Sequence, residues 1–313
     1  MAGMSLNELL KKYGDDDTAR NFLESVRWPN GAICPRCNSK EAHKLTAQKD
    51  SKRPVRNGVY FCGKCRKQFT VTVGTIMESS HIKLGIWLAA IFLICASKKA
   101  ISSLQLKRML GLGSYETAWF MSHRIRHAMD DSQGGTLLAG IVEIDETYVG
   151  GKPRRLTKKK HHGRGFVGKT PVIALVERGG RARTKVIADV SRKTLRSVMR
   201  ENIHRDSKIM TDDSPLYNMS GLDFKGGHET VVHSRWEYAR GNAHSNTVES
   251  FFALLKRGIY GTFHNVSKEH LHMYANEFAF RWSFRKISDS ERMVEAIKMI
   301  GGKRLMYRDS SAS

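Results

Sequence analysis

Three acidic residues stand in settings that suit chemistry. Asp145 lies in Ile141–Val149, which alternates with period two: Val142 and Ile144 share one face, Glu143 and Asp145 the other. Asp212 closes the strand-like run from Lys208, and Pro215 just after it suits the first turn of a helix. That puts Asp212 at the C-terminal tip of a strand, where open α/β sheets hold their sites. Glu249 follows 37 residues later, on a helix expected from about Ser245 to Arg257. There Val248, Phe251, Leu254, Leu255 and Ile259 form an apolar stripe. Glu249 and Lys256, seven residues apart, share the opposite side, with Asn246 overlooking the same edge.

Converging carboxylates repel one another, and each resists ionisation. Hard divalent cations relieve this, and Mg²⁺ or Mn²⁺ takes carboxylate and phosphate oxygens together. Two such ions ~4 Å apart serve an in-line displacement at phosphorus. The expected metal ligands are Asp145, Asp212 and Glu249, with Lys256 holding a substrate phosphate. Each acid alone reads as an ordinary surface residue. Their joint placement in a strand–strand–strand–helix–strand–helix order argues for a site.

A second metal site is written in the cysteines. Cys34-Pro-Arg-Cys37 and Cys62-Gly-Lys-Cys65 are separated by 24 residues. Each CxxC turn sets two thiolates on one side of a knuckle, and two knuckles close a tetrahedral, structural Zn²⁺ site. Gln68–Val73 alternates as a strand of such a ribbon should. Cys95, alone in the apolar run Leu84–Ala96, reads as a small buried hydrophobe.

The charge balance names the partner. Lys and Arg number 53 against 30 Asp and Glu, a net charge of +23 that calls for a polyanion, with nucleic acid ahead of a membrane surface. Leu84–Ala96 falls short of the ~20 residues of a spanning helix, and Met1–Gly14 lacks a signal-peptide layout. Ala100–Leu110, a break at Gly111-Leu112-Gly113, and Tyr115–Met129 capped by Ser114 suggest a helix-turn-helix, with Ile101, Leu104 and Met109 inward. On its second helix Arg124 and Arg126, with His123 and His127, are expected to face DNA. Gly150–Lys169 adds Lys152, Arg154, Arg155, Lys158, Lys159 and Lys160 with no acid, as a loop beside Asp145 that would straddle phosphates. Lys256 and Arg257 join this DNA-contacting set.

With these residues in view, the chain resembles the DDE transposases of bacterial insertion sequences that carry a zinc ribbon, a group related to Merlin elements. The likeness runs through FCGKCRKQFTVTVGTIMESS, VEIDETYVGGK, TDDSPLY, HSNTVESFFALLKRGIYGTFH and EFAFRW, to about Arg285. It implies an α/β, ribonuclease-H-like mixed-sheet catalytic domain over residues 138–290, cutting and rejoining double-stranded DNA at element ends and target. Ahead of it would lie an N-terminal helix (1–33), the zinc ribbon (34–79) and the helical DNA-binding region (80–132). A C-terminal helix and tail (291–313) would follow, frayed from Lys303. The resemblance carries Asp145 and Asp212 onto the first two catalytic acids. At the third position such proteins carry Asn, or Asn and Glu; Glu249 is favoured for its charge, with Asn246 as a helper. It further implies a homodimer or larger assembly on DNA, no membrane, and a cytoplasmic, nucleoid-associated setting. The competing reading is a DNA-binding regulator, or a domesticated relative without catalysis.

Neutralising Lys158, Lys159 and Lys160 together should weaken DNA binding and flatten its salt dependence by roughly one unit of log–log slope per lost phosphate contact. Binding titrations at several salt concentrations measure this, and an unchanged slope excludes the contact.

Overall fold

A computed structural model of the chain describes residues 3–46, 55–131, 136–151, 168–218, 223–231 and 243–311. The chain divides into two compact units, Met1–Met129 with Lys286–Ser313, and Asp130–Arg285.

In the first unit, helix α1 (Leu6–Tyr13) opens with a capping box between Ser5 and Glu8. Helix α2 (Asp16–Arg27) is capped by Asp15, which accepts from the N–H groups of Asp17 and Thr18. A small antiparallel sheet follows, β1 (Ala42–Lys44), β2 (Tyr60–Cys62) and β3 (Gln68–Phe69). The strand expected to reach Val73 stops early. The chain turns instead, with Val73 N–H donating to the Thr70 carbonyl at 3.1 Å.

Helix α3 (Leu84–Ala96) is apolar all round and therefore interior. Trp87, Ile91, Ile94 and Cys95 are all buried on it. Among the described residues, no helix is long and apolar enough to cross a membrane. Helix α4 (Ser103–Leu110) ends at Gly111, whose φ of 63° lies in the left-handed region that glycine tolerates. Ser114 then caps α5 (Tyr115–Ala128).

After the second unit the chain returns to the first. Helix α9 (Asp289–Lys298) packs against α2 and α3, and a short α10 (Tyr307–Ser311) follows. The stretch from Lys303, expected to fray, is tied down as far as it is described. Gly302 N–H donates to the Gly74 carbonyl and the Lys303 ammonium to the Ala128 carbonyl, both at 2.7 Å, and Leu305 is buried.

The second unit is a mixed sheet between helices. Its strands are β4 (Ile141–Val149), β5 (Thr170–Glu177), β6 (Ala182–Val186), β7 (Lys208–Asp212) and β8 (His228–Val231). They lie in the order β6-β5-β4-β7-β8, antiparallel from β6 to β4 and parallel from β4 to β8. Strand β6 begins at Ala182. The turn at Gly179-Gly180 pairs Ala182 with Val176, and the arginines around Ala182 mask the pattern. One of them, Arg183, is buried and donates to the Thr136 carbonyl at 3.0 Å.

Val142 and Ile144 face Leu195, Val198 and Met199 of helix α6 (Arg192–Asn202). The other side of the sheet carries α7 (Asn246–Gly258) over β4 and β5, and α8 (Leu271–Ser283) over β6. A Cβ placed on Gly258 would come within 2.0 Å of the Phe278 ring, so glycine sets how closely α7 and α8 approach. Despite its better helix propensity, Gly258→Ala should therefore destabilise the unit by about 1–3 kcal/mol. Denaturant unfolding measures the loss.

Candidate active site

The four ribbon cysteines converge, their sulfur atoms all within 4.8 Å of one another. Cys34 and Cys65 lie 3.6 Å apart, as do Cys37 and Cys62. Tetrahedral zinc with ~2.3 Å bonds sets sulfur–sulfur edges of ~3.8 Å, whereas a disulfide closes to ~2.0 Å. The spacing thus fits a structural Zn²⁺ site, and all five cysteines are free of disulfides.

The acids gather where the sheet opens. Strand β4 pairs with β7 in parallel register from Ile141–Lys208 to Glu143–Met210, and there the ladder between them ends. Asp145 and Asp212 each stand two residues beyond that last pair, on the sheet face that α7 covers. Asp145 Oδ1 accepts from Glu146 N–H at 2.7 Å, and Asp212 Oδ1 from Ser214 N–H at 3.1 Å. Glu249 enters from α7, its Oε1 accepting from the Ser245 hydroxyl at 2.9 Å.

Burial pushes the Asp145 carboxyl up to about 7. The Glu146 N–H opposes this, while the charges of Glu146, Asp212 and Glu249 add to it. The predicted repulsion among the three acids is therefore present. Among the described residues, only the cysteine cluster brings three metal-ligating atoms within 4.8 Å. The acids are neighbours at wider spacing.

Glu146 is a fourth acid here, and it went unread in the sequence. Burial pushes it too up to about 7; Tyr217 beside it opposes the shift, and the Asp212 charge adds to it. The available signal was positional. Glu146 continues the period-two face of Val142 and Ile144, so an acid stands in line with core residues. Tyr217, buried just past the end of β7, is pushed well above the usual phenol range by its burial and then by Glu146.

The other expected site residues fall in three groups. Lys256 and Arg257 are exposed on α7, and Asn246 is exposed at its first turn. Lys152, Arg154, Arg155, Lys158, Lys159 and Lys160 lie outside the described residues. Arg124 and Arg126 must be corrected, because α5 buries both, at 7% and 1% exposure. Arg124 donates to the Glu78 carbonyl at 2.6 Å and stacks over Phe120 at 4.7 Å, so it secures the interior of its unit. Leu104 and Met109, expected inward, are exposed at 43% and 51%. The face of α4 toward α5 runs instead through Ser103 and buried Leu106, with Ser103 and Ser122 hydroxyls 3.4 Å apart.

Residues 137–283 match the ISXO2-like transposase domain, and residues 14–68 match the transposase zinc-ribbon domain. The chain is 28% identical over 289 residues to a protein of the transposable element ISH50 from Halobacterium salinarum. That alignment covers 88% of this chain and 94% of the relative.

The crowded acids carry a pH dependence. Unfolded, Asp and Glu titrate near ~3.9 and ~4.3. Folded and metal-free, Asp145 and Glu146 hold their protons up to about 7. Their contribution to stability is thus full below the unfolded values and is lost as pH rises through about 7. Asp145→Asn should raise the melting temperature of the metal-free protein at about pH 8 and change it little near pH 4. Thermal melts across pH measure this, and an equal shift at both ends contradicts the repulsion.

Proposed function

We propose that this chain, whose residues 137–283 match the ISXO2-like transposase domain and residues 14–68 the transposase zinc-ribbon domain, cuts DNA at insertion-sequence ends and joins them to new DNA by metal-dependent phosphoryl transfer. The observation that carries this reading is the placement of Asp145 and Asp212 in matched positions beyond the last β4–β7 pair, with Glu249 facing them from α7. The mixed sheet with helices on both faces supports a ribonuclease-H-like catalytic domain.

Asp145, Asp212 and Glu249 would hold Mg²⁺ or Mn²⁺, hard cations suited to a donor set made of carboxylates that resist ionising alone. When bound, two such ions activate an attacking oxygen and stabilise a departing one. The protein's part is to hold the acids and the DNA. Ser245 orients the Glu249 carboxylate. Lys256, two turns further along α7 and exposed, offers its ammonium to a phosphate. Asn246, at the first turn, borders the same edge. The attacking groups are water and then a DNA 3′-hydroxyl, so no side chain needs to act as nucleophile. The net charge of +23 suits the duplex, and joining two element ends calls for at least a dimer on DNA.

Strand transfer on the element's own ends, with Mg²⁺ and separately with Mn²⁺, tests the reading. Wild type should give joined products, while Asp145→Asn should give none above background and still bind DNA. Glu249→Gln should behave like Asp145→Asn; near-normal joining by that variant would move the third ligand to Asn246. End-specific binding without cleavage by the wild type, with either metal, would identify a binding protein instead.

A further inference from the structure

Glu143 brings a charge into the interior of the second unit. Its side chain is fully buried, two residues before Asp145 and on the same face of β4. A buried carboxylate persists only when donors surround it. Arg178 Nε donates to its Oε1 at 2.6 Å, and the Thr247 hydroxyl donates to the same oxygen at 2.8 Å. The backbone N–H groups of Thr247 and Val248 donate to Oε2 at 2.7 and 3.0 Å. Arg178 also donates from Nη2 to the His244 carbonyl at 2.9 Å, so the chain entering α7 is held by the same guanidinium.

Thr247 and Val248 are the second and third residues of α7, where backbone N–H groups have no partner within the helix. The residue placed to cap them is Ser245, and its side chain makes no capping bond. The Ser245 hydroxyl donates to Glu249 instead, at 2.9 Å. The cap therefore comes from another element, a carboxylate on β4.

We infer that Glu143 is a positioning residue that fixes Glu249 relative to Asp145. A cap supplied by Ser245 would steady α7 within itself. A cap from β4 ties the first turn of α7 to the strand that presents Asp145, and the pinned Val248 N–H is one residue from Glu249. An amide could not replace the carboxylate, because its NH₂ would face converging donors. The inference rests on the catalytic reading of Asp145, Asp212 and Glu249, and adds a residue that touches none of the reacting atoms.

The experiment is the Mg²⁺ dependence of strand transfer by the full chain on pre-cut element ends. Glu143→Gln should raise the half-activating Mg²⁺ concentration by about tenfold or more, with part of the rate returning at saturating metal. Glu143→Asp should fall between that variant and wild type. Thr247→Val deletes one bond to Glu143 and keeps the Arg178 pair, so it should fold where Glu143→Gln fails to. A rise of roughly threefold is expected for it.

Ser191→Ala serves as the control. It removes the cap of α6 on the other side of the sheet and should lower the melting temperature without moving the Mg²⁺ requirement. The inference is overturned if Glu143→Gln and Thr247→Val keep the wild-type requirement, or shift it no more than Ser191→Ala does. Metal-independent wild type, or an active Asp145→Asn, would instead overturn the catalytic reading, and this inference with it.

Discussion

Like charges crowd where β4 and β7 part, and the second unit is arranged to bear the consequence. Asp145 and Glu146 stay protonated up to about 7 because burial and their acidic neighbours disfavour the charged form. A fold optimised for stability alone would place apolar residues at those strand tips. Here the β4–β7 ladder stops two residues short of Asp145 and Asp212. Divalent cations relieve repulsion of this kind, and the proposed phosphoryl transfer rests on that.

Two of the three acids of β4, Glu143 and Asp145, are treated in opposite ways. Asp145 accepts one backbone N–H at 2.7 Å and is surrounded by acids. Glu143, two residues away on the same face, is enclosed by Arg178, Thr247 and the first turn of α7. One carboxylate is crowded by other acids, and the other is satisfied by the scaffold. That difference separates a candidate ligand from a candidate support, although both appear in the sequence as acids with the same spacing and face.

In the first unit the basic charge is partly structural. Arg124 and Arg126 lie inside, where Arg124 satisfies a backbone carbonyl and covers aromatic rings. A net charge of +23 therefore does not turn every arginine on a helix into a DNA contact. The zinc cluster gives the ribbon what its short strands cannot, since β1, β2 and β3 together offer little apolar surface to bury.

Local pattern alone determined much of this protein. Spacing reveals the Cys34–Cys65 cluster because a CxxC knuckle is a local geometry. Period-two alternation locates β4 and Asp145, helical periodicity sets the exposed Glu249 and Lys256 opposite the buried side of α7, and the apolar run of α3 marks an interior helix. Strand β8 is hard to read because only Val231 of its four residues is buried, and the start of β6 because arginines interrupt its pattern. Tertiary structure alone decided that Arg124 and Arg126 turn inward, that the chain after Lys286 rejoins the first unit, and that Glu146 joins the acid cluster. It also decided that Glu143 caps a helix 104 residues further along the chain. Hydrogen bonds and charges act through space, and a one-dimensional pattern cannot show which donors a fold will bring to a buried carboxylate.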